Sequence, residues 1–474
     1  MRLRTRKSAQ SQKHREAAHG PKVWHQRAAW PCRRFDPDLV SAHVQAFIRA
    51  CPVGTGLFVG RDLRPSSPSI ADMVAQAARA AGLAVTDCGD VPTPALALAA
   101  MEAGAAAVMI TGSHIPADRN GLKFYTPDGE ITKAHEAAIL AALGGETPAS
   151  TGPDIVQNTT AGAAYIARFT QAYGAALTGL RIGVYSHSAV GRDLLLRCFA
   201  DLGAEVIELG RSPDFIPVDT EAVDPAIRGL LKDWAKTHQL DAIISTDGDG
   251  DRPLMTDATG TVIVGDVLGQ ITGAALGATV AVTPVSSNTG AEAKFAQVIR
   301  TRIGSPYVIA GMQTAKGDVV GYEANGGFLL GFPAHGPQGT LPPLMTRDAV
   351  LPLVAPLALA KAVGGLAQLV ANEPARFTAA DRLQEVPTEM SLALVAEFDT
   401  NQAKRAVFLA GFDGTKASVD RTDGLRMTLQ DGRIVHLRPS GNAPELRLYV
   451  EADSVRSAEE TLQKGLALLR DLLL

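Results

Sequence analysis

The sequence predicts an α/β fold: three related mixed-sheet α/β domains followed by a smaller α+β domain. Two observations carry the prediction. A strand–turn–helix–strand unit recurs three times along the chain, and residues 374–474 lack it. The composition agrees, since 46% hydrophobic and 20% charged residues over 474 positions can fill several cores.

The first unit runs from an apolar strand at 56–60 through an Ala-rich helix at 69–81 to a strand at 83–88, after a helical pattern at 39–50. In the second, a strand at 182–185 leads into Ser186-His187-Ser188, a helix, and a strand at 205–208. In the third, a strand at 280–283 leads through 284–289 into a helix and then a strand at 301–303. Turn formers set the boundaries, giving domains at 35–150, 151–258, 259–373 and 374–474. Leu462, Leu466, Leu469 and Leu473 share one helical face, so the chain is expected to end in a docked amphipathic helix.

Net charge is −4, but residues 1–34 hold ten Lys or Arg and one acid, Glu16. The remainder carries 35 basic and 48 acidic residues, a body that repels nucleic acid. The apolar stretch 96–110 is broken by Glu102, so neither a membrane span nor a secretory signal is expected. Cys32, Cys51, Cys88 and Cys198 show no paired spacing and read as reduced cytoplasmic thiols.

Four motifs carry chemistry. Thr111-Gly112-Ser113-His114-Ile115-Pro116, closed by Asn120-Gly121-Leu122-Lys123, follows an apolar strand and puts Ser113 at the ligand-binding edge of a sheet. A serine there can be a nucleophile where a cation stabilises its ester; alone, the pair is more often a turn. Asp247-Gly248-Asp249-Gly250-Asp251-Arg252 sets three carboxylates at alternate positions, able to converge on a hard cation. An EF-hand loop is excluded, because its sixth and twelfth positions would be Arg252 and Ala258. Glu323-Ala324-Asn325-Gly326-Gly327 offers an acceptor and an amide for adjacent hydroxyls. Arg438-Pro439-Ser440-Gly441-Asn442, followed by Arg447, can aim backbone N–H groups and a guanidinium at an anion.

In that order and spacing the four motifs closely resemble the α-D-phosphohexomutase family, from about Phe35 to the C-terminus. The resemblance implies four domains around a central cleft, each contributing one loop. It implies that Ser113 carries a phosphoryl group and that Asp247, Asp249 and Asp251, with a Ser113 oxygen, hold Mg²⁺. Ser113, His114, Lys123 and Arg252 become the expected catalytic residues. Ser305, Glu323, Asn325, Arg438, Ser440, Gly441, Asn442 and Arg447 become the expected substrate contacts. The implied reaction interconverts hexose 1- and 6-phosphates, mannose first, through a 1,6-bisphosphate that also serves as activator. A glucose or glucosamine phosphate mutase is the alternative, and an inactive sugar-phosphate binder is the alternative of another class. Small hexose phosphates are the expected partners, with a cytoplasmic monomer and no membrane or nucleic-acid partner.

The chain departs from the family at three places. Asn325 and Gly327 stand where relatives carry Ser and His, and Asn442 and Ala443 where they carry Thr and Glu. With the histidine gone, Lys123 and His114 are the remaining groups for proton transfer. At 23–30 the chain reads Val-Trp-His-Gln-Arg-Ala-Ala-Trp where the family opens with Phe-Gly-Thr-Ser-Gly-Leu-Arg-Gly. Codons TTT GGC ACC AGC GGG CTG CGT GGC, preceded by one extra G, read GTT TGG CAC CAG CGG GCT GCG TGG, which encodes all eight residues found. Residues 1–34 are therefore expected to be a frame-shifted, disordered segment.

Overall fold

Three of the four large sheets in the computed structural model repeat one topology. The structure describes residues 23–24, 27–32, 35–145, 150–440 and 444–473. In each repeat the first strand lies between the second and the third, all parallel, and a fourth returns antiparallel against the third. The first sheet uses Leu57–Arg61, Val85–Asp90, Ala106–Ile110 and Arg119–Thr126 in these places. The second uses Arg181–Tyr185, Glu205–Leu209, Ala242–Thr246 and Pro253–Thr256. The third uses Val280–Pro284, Gln297–Thr301, Val319–Tyr322 and Phe328–Leu330.

Every residue of Ala106–Ile110, Ala242–Thr246 and Val319–Tyr322 is buried, because helices cover both faces of a parallel strand. The turn that follows each third strand therefore leaves from an equivalent point in each repeat. Those turns hold Ser113, the aspartate triplet, and Glu323 with Asn325.

The sequence reading needs correction at short elements. The expected helix after 289 is a 3-10 turn, Thr289–Ala293, and the strand near 301–303 ends earlier, as Gln297–Thr301. Val156–Gln157 joins the first sheet and Val262–Ile263 the second, beyond the expected boundaries at 150 and 258. Two-residue strands carry no periodic signal. The expectation of disorder through residue 34 fails over Arg27–Pro31, which pairs antiparallel with Arg119–Thr126 and sets Arg27 opposite Lys123. Main-chain ladder bonds do not depend on side chains, so an unusual sequence can still add an edge strand. Most of residues 1–26, with 33 and 34, lies outside the described residues.

The last sheet is wholly antiparallel and joins Phe377–Gln384, Glu445–Ala452, Ile434–Pro439, Leu425–Leu429 and Lys416–Asp420. Leu446, Leu448 and Val450 alternate inward against Leu462, Leu466 and Leu469 of the C-terminal helix, Val455–Leu473. This core is separate. One continuous core instead runs through the first three sheets, with Leu96, Met109, Ile182, Ile244, Val320 and Phe328 among its members. All four cysteines are free, and among the described residues no helix is long and apolar enough to cross a membrane.

Candidate active site

Ser113 is 1% exposed and has φ 54°, a left-handed conformation that costs a non-glycine residue and needs external support. Arg64 supplies that support. Its guanidinium donates to the carbonyls of Ser113 (2.9 Å), Ile115 (2.6 Å), Pro116 (2.7 Å) and Arg119 (3.1 Å). Asp62 accepts from Arg64 Nε and from the Thr111 hydroxyl, whose oxygen accepts in turn from the Ser113 N–H. Gly112 is required here, since a Cβ would lie 2.6 Å from Arg64 Cζ.

The Ser113 hydroxyl donates to Asp247 Oδ2 at 2.6 Å, joining the first motif to the second. Asp247, Asp249 and Asp251 are buried, and one carboxylate oxygen from each lies within 4.8 Å of the others. Burial, followed by the charges of Asp249 and Asp251, pushes the Asp247 carboxyl well above its usual range. Burial acts on Asp251 too, but Arg347, Lys123 and Arg252 outweigh it and the Asp249 charge, and hold that carboxyl low. The buried Asp251 Oδ1 has no hydrogen-bond partner among the described residues. Three converging hard oxygen donors with such a vacancy fit a divalent cation.

Lys123 Nζ donates to Asp251 Oδ2 and lies 3.6 Å from Asp249 Oδ2. Arg252 Nη1 donates to His114 Nδ1 at 2.9 Å, which makes that nitrogen an acceptor, 3.3 Å from Ser113 Oγ. All seven residues expected in the serine and metal loops thus meet at one point. Thr93, absent from the sequence reading, joins them by donating to Asp249 Oδ2 at 2.7 Å.

The Glu323 loop enters from the third domain. Glu323 Oε2 is buried with no hydrogen-bond partner among the described residues, an acceptor available to a ligand hydroxyl. Asn325 spends its side-chain oxygen on the Gly327 N–H (3.0 Å), while its carbonyl accepts from the Thr220 hydroxyl (3.0 Å). Ser305 stands apart from the expected contacts: its buried hydroxyl donates to Glu130 Oε2 at 2.8 Å. Arg347, also unforeseen, sits 2.9 Å from Asp251 Oδ2 and 3.7 Å from Glu323 Oε2.

In the fourth domain Arg438 lies directly opposite Arg447, which lies opposite Arg382, a row of three arginines on one face. Like charges in register repel unless an anion or acid neutralises them. Asp423 Oδ2 accepts from Arg438 Nε (2.8 Å) and from the Ile303 N–H (3.0 Å), tying this face to the third domain. Arg447 also interacts electrostatically with Glu221 of the second domain, across the cleft. Ser440 is buried, and its N–H donates to the Glu445 carbonyl. Gly441 and Asn442 lie outside the described residues.

This architecture is that of the phosphohexomutases. A structure described as a putative phosphomannomutase from Thermus thermophilus superposes with a TM-score of 0.75 at 22% identity, covering 95% of this chain and 99% of the other. Four family models, described as phosphoglucomutase/phosphomannomutase domains I, II and III and the C-terminal domain, match residues 26–149, 163–260, 256–377 and 373–467. The chain belongs to the phosphoglucomutase/phosphomannomutase family. A phosphomannomutase of Sinorhizobium fredii is 47% identical over 88% of this chain and 90% of its own length. One from Salmonella muenchen is 42% identical over 90% and 89% respectively.

Proposed function

We propose that this protein interconverts mannose 1-phosphate and mannose 6-phosphate through a phosphoserine at Ser113 and a 1,6-bisphosphate intermediate. The observation that supports the reading is the 2.6 Å bond between Ser113 Oγ and Asp247, one of three aspartates whose oxygens converge as a cation would need. The two phosphomannomutases similar to this chain support mannose as the sugar.

Asp247, Asp249 and Asp251 would hold Mg²⁺, which supplies charge neutralisation for the transferring phosphoryl group. In the first transfer the P–Oγ bond of phosphoserine breaks as a P–O bond forms to the free sugar hydroxyl, whose proton is released. In the return transfer a bond forms from Ser113 Oγ to the other phosphorus as the P–O bond to the sugar breaks, the serine losing its proton and the freed sugar oxygen taking one up. Buried Lys123, which donates to Asp251 beside the triplet, is the first candidate for proton transfer, and His114, whose Nδ1 already accepts from Arg252, is the weaker one. Glu323 accepts sugar hydroxyls, and the Arg438–Arg447 face holds the phosphate that is not reacting.

Incubation with mannose 1-phosphate, Mg²⁺ and a trace of hexose 1,6-bisphosphate tests this. Mannose 6-phosphate should accumulate to equilibrium. Free phosphate would indicate a phosphatase, and unchanged substrate an inactive binder; either overturns the proposal.

A further inference from the structure

Arg347 leaves the antiparallel strand Leu344–Asp348 and is 6% exposed. Its stem crosses the Glu323 loop at Gly327, where a Cβ would lie 2.9 Å from Arg347 Cδ and 3.0 Å from Cγ. The bare glycine is what lets the guanidinium reach inward. There it faces one carboxylate from each of three domains: Glu130 Oε1 at 3.7 Å, Asp251 Oδ2 at 2.9 Å and Glu323 Oε2 at 3.7 Å. Glu130 also accepts from Thr346 Oγ1 (3.1 Å) and from Ser305 Oγ (2.8 Å), so the root of the side chain is fixed while its tip has two partners.

We propose that Arg347 is a positioning residue that couples cation binding at Asp251 to sugar-hydroxyl binding at Glu323. The inference rests on the mutase reading for the roles of those two carboxylates. A cation on the triplet repels the guanidinium and competes with it for Asp251. Glu323 Oε2, without a hydrogen bond among the described residues, is the next acceptor within reach. Arg347 turning onto Glu323 fixes the carboxylate that receives the sugar, so cation and sugar should each tighten the binding of the other.

Calorimetry in a Ser113→Ala background, where turnover is blocked, isolates this coupling. Mannose 1-phosphate is titrated with and without Mg²⁺, and Mg²⁺ is titrated alone. Arg347→Met should reduce the Mg²⁺-dependent gain in sugar affinity by about tenfold, while Mg²⁺ alone binds more tightly because a competing cation has gone. Gly327→Ala keeps every charge but displaces the guanidinium, and should lose the coupling as well; Arg347→Lys should restore part of it. An unchanged coupling in both Arg347→Met and Gly327→Ala overturns the proposal. So does weaker Mg²⁺ binding in Arg347→Met, the result expected if the residue were only structural. Failure of the Arg347-containing parent to bind either ligand would overturn the mutase reading, and this inference with it.

Discussion

Ser113 and Asp247 stand 134 residues apart, in different domains, yet the serine hydroxyl donates to Asp247 Oδ2 at 2.6 Å. The serine is therefore held at the aspartate triplet by a bond that depends on how two domains are docked. Replacing Ser113 with Ala should abolish phosphorylation by a hexose bisphosphate, read by intact mass, and lower turnover by several orders of magnitude. Stability should stay within about 1 kcal/mol of the parent, since one loop hydroxyl is removed.

The three aspartates converge on one point, so they should behave as a unit. Asn at 247, 249 or 251 should weaken Mg²⁺ affinity and activity, and double variants should lose little more than single ones. Full activity in the presence of a chelator would contradict a cation at this site.

Arg438→Ala should raise KM for 1-phosphates and 6-phosphates alike, because in the proposed mechanism the Arg438–Arg447 face serves both orientations of the sugar. Glu323→Gln should instead change the ranking of mannose, glucose and glucosamine phosphates, since its proposed role is to accept from sugar hydroxyls. Steady-state kinetics on the six substrates separates the two effects.

His187 Nε2 donates to the Thr246 carbonyl at 2.9 Å, bracing the strand end from which the aspartate loop departs. Burial lowers its imidazole to about 4 from an ordinary 6.5. Between those values the unfolded chain takes up a proton that the folded protein refuses, so stability falls as pH drops from 6.5 towards 4. The loss should approach about 3 kcal/mol. Denaturant unfolding across this range should show the slope, and His187→Asn should remove its share while the buried His436, also lowered to about 4, keeps its own.

Arg27–Pro31 pairs with the strand that carries Lys123, so the segment that departs from the family motif lies beside a residue of the candidate site. Restoring Phe-Gly-Thr-Ser-Gly-Leu-Arg-Gly at 23–30 should raise turnover without a large change in melting temperature. Genomic DNA whose codons are incompatible with the shifted reading would end the frameshift explanation.

What could be read from the sequence, and what could not, follows from where each residue lies along the chain. The serine and aspartate loops are contiguous, with glycines beside the acting side chains, so their chemistry shows in a few letters. Arg64, Thr93, Glu130 and Arg347 each reach the site from a distant element, and for the last three nothing in their neighbours' types marks them. Arg64 had the faintest signal, an Asp-x-Arg pair just after the first strand of the repeat. Ser305 comes only from the resemblance, and its neighbours do not tell which way a hydroxyl points; here it donates to Glu130.

The continuous core beneath the first three sheets also governs how the protein comes apart. Val320 and Phe328 of the third sheet share that core with Ile182 and Ile244 of the second and Met109 of the first, so removing any one repeat strips apolar surface from the others. Those three repeats form a single cooperative unit, and the serine, aspartate and glutamate loops they carry are kept or lost together. The fourth domain has its own core around Leu437, Leu448 and Leu466, so it is the part expected to loosen alone, taking the row of Arg382, Arg438 and Arg447 with it while the serine and its aspartates stay assembled.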